Sequence, residues 1–73
     1  MEVKIGVQHA PRELVVDTPD SAEAVEAALN QALADGSTLS VTDTRGRRVL
    51  VPARAIAYVE VGGGVSGQVG FRG

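Results

Sequence analysis

Four guanidinium groups, at Arg45, Arg47, Arg48 and Arg54, are the side chains best suited to chemistry with a partner. Each is a planar fork of N–H donors that can grip a carboxylate or a phosphate with two hydrogen bonds at once. Asp43-Thr44-Arg45-Gly46 lies between two apolar runs and has the composition of a reverse turn, so three of the four arginines crowd one hairpin tip. Tyr58, the only tyrosine, lies in the next apolar run. Arg45, Arg47, Arg48, Arg54 and Tyr58 are therefore the candidate partner-binding residues. Binders of single-stranded nucleic acid add aromatic platforms on which bases stack. With one tyrosine and one phenylalanine this chain has few, which ranks a protein partner above RNA. Arginines at a hairpin tip also guard an open strand edge against aggregation.

Other chemistry fares less well. Gly62-Gly63-Gly64-Val65-Ser66-Gly67 matches the letters of G-x-G-x-x-G. A dinucleotide site needs the last glycine to open a helix whose N-terminus holds the phosphates, with an acid further on for the ribose. Only Gln68 to Gly73 follow, and they contain neither. No P-loop sequence occurs, and Lys4 is the only lysine. Nucleophilic catalysis would have to rest on His9, the single histidine, because there is no cysteine. Ser21, Ser37, Ser40 and Ser66 sit at cap, turn and linker positions. Glu23 and Glu26 fall on the wet face of a helix, where nothing desolvates them. The same inventory leaves no soft-metal ligand set. The chain reads as non-enzymatic, without cofactor.

Seventy-three residues make one domain, spanning 1–73. At that size roughly 60% of the unfolded surface is buried, so the stability margin is thin. Valine and alanine dominate the apolar set, and the larger candidates for the core are Leu14, Leu29, Leu33, Leu39 and Leu50. A core this light is often reinforced by self-association, so a homodimer stands beside the monomer as an expectation.

Val3, Ile5 and Val7 alternate with Lys4 and Gly6, the period of a half-buried strand. The mid-strand Gly6 suggests a bulge or a close backbone approach. A turn over His9-Ala10-Pro11-Arg12 leads to a second strand, Glu13 to Asp17. Asp20 is the expected helix N-cap, with Glu23 reaching back from N3. Ala22, Val25, Ala28, Leu29, Ala32 and Leu33 form the expected apolar stripe, and Gly36 the left-handed stop. Leu39 to Thr42 and Arg47 to Val51 form the arginine-tipped hairpin. Pro52 ends its second strand, and a turn or single helical turn at Pro52-Ala53-Arg54 leads to the last full strand, Ile56 to Val61. Residues 62–68 read as a flexible glycine-rich linker to a short C-terminal strand carrying Val69 and Phe71. The order ββαβββ, with room for a sixth short strand, gives an α+β two-layer sandwich: a largely antiparallel sheet with one helix. A β-grasp-like arrangement and a small open barrel are the alternatives.

Charge is divided unevenly along the chain. Residues 1–36 carry −5 and residues 37–73 carry +3, a binding polarity or two faces that complement each other. No run approaches the ~20 apolar residues of a membrane span, and the opening Met1-Glu2-Val3-Lys4 lacks a signal peptide's pattern. The expectation is a cytoplasmic protein without membrane contact.

Met1-Glu2-Val3-Lys4-Ile5-Gly6-Val7, Pro11-Arg12-Glu13-Leu14, Arg45-Gly46-Arg47-Arg48-Val49-Leu50, Ala55-Ile56-Ala57-Tyr58-Val59-Glu60-Val61 and Val69-Gly70-Phe71 together resemble a family of small actinobacterial proteins of unknown function. Some of its members carry an automatic ATP-binding label. The chain departs from that pattern at Gly62 to Gln68, where the family has a more helical, charged linker. The function expected is a binding or regulatory module acting through protein contacts. The alternatives are an RNA-binding accessory protein, an ATP-binding protein, and a β-grasp carrier of the kind that ends in Gly-Gly.

Overall fold

The alternation of β1 (Glu2–Val7) does what its period requires: Val3 and Ile5 are fully buried, and Lys4 between them faces the other way. The computed structural model describes residues 1–62. The linker beyond Gly62 and the expected sixth strand lie outside them.

β1 is the centre of a three-stranded sheet of order β2-β1-β5. β2 (Glu13–Asp17) pairs antiparallel on one side, with Val3 opposite Val16 and Ile5 opposite Leu14. β5 (Ile56–Val61) pairs antiparallel on the other, with Val3 opposite Val61 and Ile5 opposite Val59. The register then skips Ala57: Gly6 faces Tyr58, but Val7 faces Ile56. This bulge reverses the alternation of β5. Strict alternation would put Ile56 on the face of Tyr58; instead Ile56 packs against the core with Val59 and Val61, and Ala57 is exposed.

α1 (Ala22–Asp35) starts one residue later than the acidic cap implied. Ser21 is the N-cap, its Oγ accepting from the Ala24 N–H at 3.1 Å. Asp20 is held outside the helix because its N–H donates to Thr18 Oγ1 at 3.2 Å, in a turn whose Thr18 is fully buried. Gly36 closes the helix in the left-handed region at φ 65°. The buried stripe is narrower than expected. Val25 and Ala32 are buried and Ala22 and Leu29 partly so, while Ala28 is exposed and Leu33 is 54% exposed. α1 packs mainly against one thin layer, β3 and a 3-10 turn, so only the central row of its apolar face is covered.

β3 (Thr38–Thr42) and β4 (Arg48–Pro52) form a separate antiparallel pair, with Leu39 opposite Val51 and Val41 opposite Val49. The expected single sheet is thus divided in two, and the strands close into no barrel. β1 and β5 are neighbours, as in a β-grasp, but antiparallel rather than parallel. A single 3-10 turn, Ala53–Ala55, carries the chain from β4 to β5. It is pinned by Ala53 N–H to Ser37 C=O at 2.8 Å and Gln8 N–H to Ala55 C=O at 2.7 Å.

The core joins both sheets and the helix through Val3, Ile5, Val16, Val25, Ala32, Leu39, Val41, Val51 and Ala53. Of the five leucines expected there, Leu39 is fully buried and Leu29 packs at the margin. Leu14, Leu33 and Leu50 are 39%, 54% and 61% exposed. Leu50 is on the outer face of β4, one residue out of phase with buried Val51, and among the described residues β2 has no strand beyond it to cover Leu14.

Candidate functional site

The β3–β4 turn is built around one carboxylate. Asp43 Oδ1 accepts the backbone N–H of Arg45 and of Arg47, each at 2.9 Å, and Oδ2 accepts Arg47 Nε–H at 2.9 Å. The Gly46 N–H reaches Asp43 C=O at 3.0 Å, and Asp43 N–H reaches Arg47 C=O at 2.7 Å. Gly46 sits at φ 85°, a conformation that side chains rarely adopt. Because Arg47 closes the turn, β4 begins at Arg48 rather than at Arg47. Asp43 is 8% exposed. Desolvation is the largest single influence on its pKa and acts upward. The hydrogen bonds from the Arg47 backbone, the Arg47 side chain and the Arg45 backbone, with the Arg47 charge, together outweigh it and hold the carboxyl below its ordinary range.

The clamp consumes one guanidinium and fixes the backbone that carries the others. Arg45 and Arg48 are exposed and make no ion pair among the described residues. Arg48 shares the outer face of β4 with Leu50, opposite Thr42 and Ser40. Arg45, Arg47 and Arg48 are therefore brought together. Arg54 is not among them: it sits on the 3-10 turn at the other end of β4, about 13 Å of strand from Arg48.

Tyr58 belongs to the other sheet. Its ring lies over Gly6, where an added Cβ would overlap Cε2, Cδ2 and Cζ, and its hydroxyl donates to Glu13 Oε2 on the far strand. The hydrogen bond to Glu13 is the main reason its pKa is raised, with desolvation and the charges of Glu13 and Glu60 adding to it.

A groove of about 270 Å³ opens between the β3–β4 turn and the edge of β2. Val15, Val16 and Val49 line it, with Thr44, Arg45 and Arg47 at the turn end. The sequence did not point to it, because β2 and the turn are far apart in the chain. The one local signal was the pair Asp43 and Arg47, four residues apart on a turn. Among the described residues no group of three or more His, Cys, Asp or Glu side chains is placed to hold a metal ion. No helix there is long and apolar enough to cross a membrane.

No curated protein matches the chain. A profile described as "Protein of unknown function (DUF3107)" matches residues 1–72, and with nearly its whole length covered the chain belongs to that family.

Proposed function

We propose that the protein is a non-enzymatic binding or regulatory module that works through protein contacts made by the β3–β4 hairpin. The observation that carries this reading is the Asp43 clamp. It fixes the backbone of a turn bearing Arg45 and Arg48, which have no ion-pair partner among the described residues, next to a Leu50 that is 61% exposed. A fixed backbone lowers the ordering cost of binding, and arginine beside exposed apolar surface is the composition of an interface anchor. An RNA reading lacks support of the same kind, since Tyr58 lies on the other sheet with its ring packed on Gly6.

Affinity capture from a lysate of the native host tests the reading. The informative variant is Arg45→Glu with Arg48→Glu, which leaves the Asp43–Arg47 clamp in place. Loss of specific partners from the variant's eluate is the expected result. If both proteins enrich the same set, the hairpin has no such role.

A further inference from the structure

We propose that the edge of β2 away from β1, which pairs with no strand among the described residues, is a docking groove for an extended acidic segment of a partner protein, which adds as a strand between β2 and the β3–β4 turn. The inference deepens the reading above, because Arg45 serves both, and it rests on that reading for the class of partner.

The direction of the peptide groups is the first argument. Thr18 N–H donates to Met1 C=O at 2.8 Å, whereas Asp17 C=O accepts from Thr44 N–H at 2.8 Å. Peptide groups alternate along an antiparallel strand. Those of Leu14, Val16 and Thr18 therefore turn toward β1, and those of Glu13, Val15 and Asp17 turn away. Thr44 takes the first rung on the free edge and goes no further. Among the described residues no hydrogen bond reaches the N–H or C=O of Val15, the next rung.

Space and apolar surface are the second argument. The groove of about 270 Å³ is lined by Val15, Val16 and Asp17 on the β2 side and by Thr44, Arg45 and Arg47 on the turn side, and an added strand lies about 4.8 Å from its neighbour. Leu14, on the core-facing side of β2, is 39% exposed, with no strand beyond it among the described residues. Alternate side chains of an incoming strand would fall beside Leu14 and Val16, so the segment should carry apolar residues at every second position.

Charge is the third. Asp17 is 3.2 Å from the Met1 ammonium, and Asp43 is bound by Arg47 at 2.9 Å. Arg45 is left as the uncompensated charge of the groove. A carboxylate on the segment is thus drawn to the turn end, where Arg45 stands.

The experiment uses the full chain, ¹⁵N-labelled, with a short synthetic peptide of alternating glutamate and valine as the probe and a lysine–valine peptide as control. The expected result is a saturable shift of the Val15, Thr44 and Val49 amides with the acidic peptide alone, with slowed exchange at the Val15 amide. Val15→Pro removes the donor at an edge position where proline is tolerated, and Arg45→Glu removes the charge without touching β2. Each should weaken binding about tenfold or more, as for loss of a charge-assisted contact. Thermal melts show whether either variant remains folded, and Arg45→Glu decides the matter if Val15→Pro does not. No shift at millimolar peptide overturns the proposal, as do equal shifts with the basic peptide. So does a Val15 shift that follows protein concentration without peptide, because a second copy then holds the groove. Failure here with Arg-dependent capture intact removes the groove alone. Peptide binding without Arg-dependent capture removes the hairpin reading instead.

Discussion

Tyr58 lies across Gly6, so that the central strand of the three-stranded sheet is glycine where that aromatic ring covers it. The row Glu13–Gly6–Tyr58 runs through β2, β1 and β5, and the tyrosine hydroxyl spans it to the Glu13 carboxylate. The bulge at Ala57 immediately follows that row. Gly6, which weakens β1 as a strand, is thus the residue that lets the third strand be tied across the first to the second.

Gly6→Ala should therefore destabilise through the ring rather than through the backbone. The half-exposed ring can swing aside, so the cost is the packing and the bond to Glu13 that it gives up, about 1 kcal/mol, and 1 kcal/mol shifts the melting temperature of so small a domain by roughly 4–8 °C. Repeated in a Tyr58→Ala background, the same substitution should cost much less. Urea titrations of the double-mutant cycle read the coupling, and two additive single effects would show that the ring is not what excludes a side chain.

The Tyr58 phenol should ionise above its ordinary value of 10.0, because its proton is held by Glu13 first and protected by desolvation and the acidic neighbours after that. A pKa raised in the folded state gives stability that is present below the unfolded value and lost as pH rises through the folded one. With one tyrosine and no tryptophan, the ultraviolet titration reports this group alone. Glu13→Gln should move the midpoint back toward 10.0. An unchanged midpoint in that variant would mean that Glu13 does not hold the proton.

Each of the five described strands and the helix could be read from local pattern, because alternation, Pro11, Gly36 and the Asp43–Gly46 turn each mark a boundary in a few residues. What the pattern left out is tertiary. The division into two sheets depends on β5 crossing back to β1, and no stretch of sequence encodes that locally. Leu14, Leu33 and Leu50 have core-type side chains but stand at an edge, a helix flank and an outer face, which residue type cannot distinguish. The arginine tip was legible for the same reason as its turn. Its clamp was only half legible, since Asp43 is an ordinary turn residue until its burial is seen. The groove beside β2 was not legible at all, as it joins Val15 to Arg45 across the helix between them.

The helix start separates two neighbouring candidates. Ser21→Ala should cost about 1 kcal/mol, the usual value for a lost N-cap. Asp20→Ala should stay within roughly 0.5 kcal/mol, as an exposed residue away from the cap does. Chemical denaturation of the two variants side by side makes the comparison, and a larger loss from Asp20 would place the cap there instead.

Asp43 should make the hairpin sensitive to acid. Its folded pKa lies below the ordinary 3.8, so its contribution to stability is present above 3.8 and lost as pH falls through the lower folded value. Above that range the carboxylate accepts three hydrogen bonds, two of them from the backbone that aims Arg45 and Arg47. Protonation removes the negative charge that those three hydrogen bonds stabilise, so the turn's acceptor is weakened and the Arg47 guanidinium loses its anionic partner. Asp43→Asn keeps the shape but places an amide NH₂ or an uncharged oxygen before those donors. The variant should therefore be less stable than wild type at neutral pH, and the gap should narrow as pH drops below 3.8. Melting curves across that range check the sign, and a gap that stays constant or widens in acid would show that the carboxylate charge does not hold the turn.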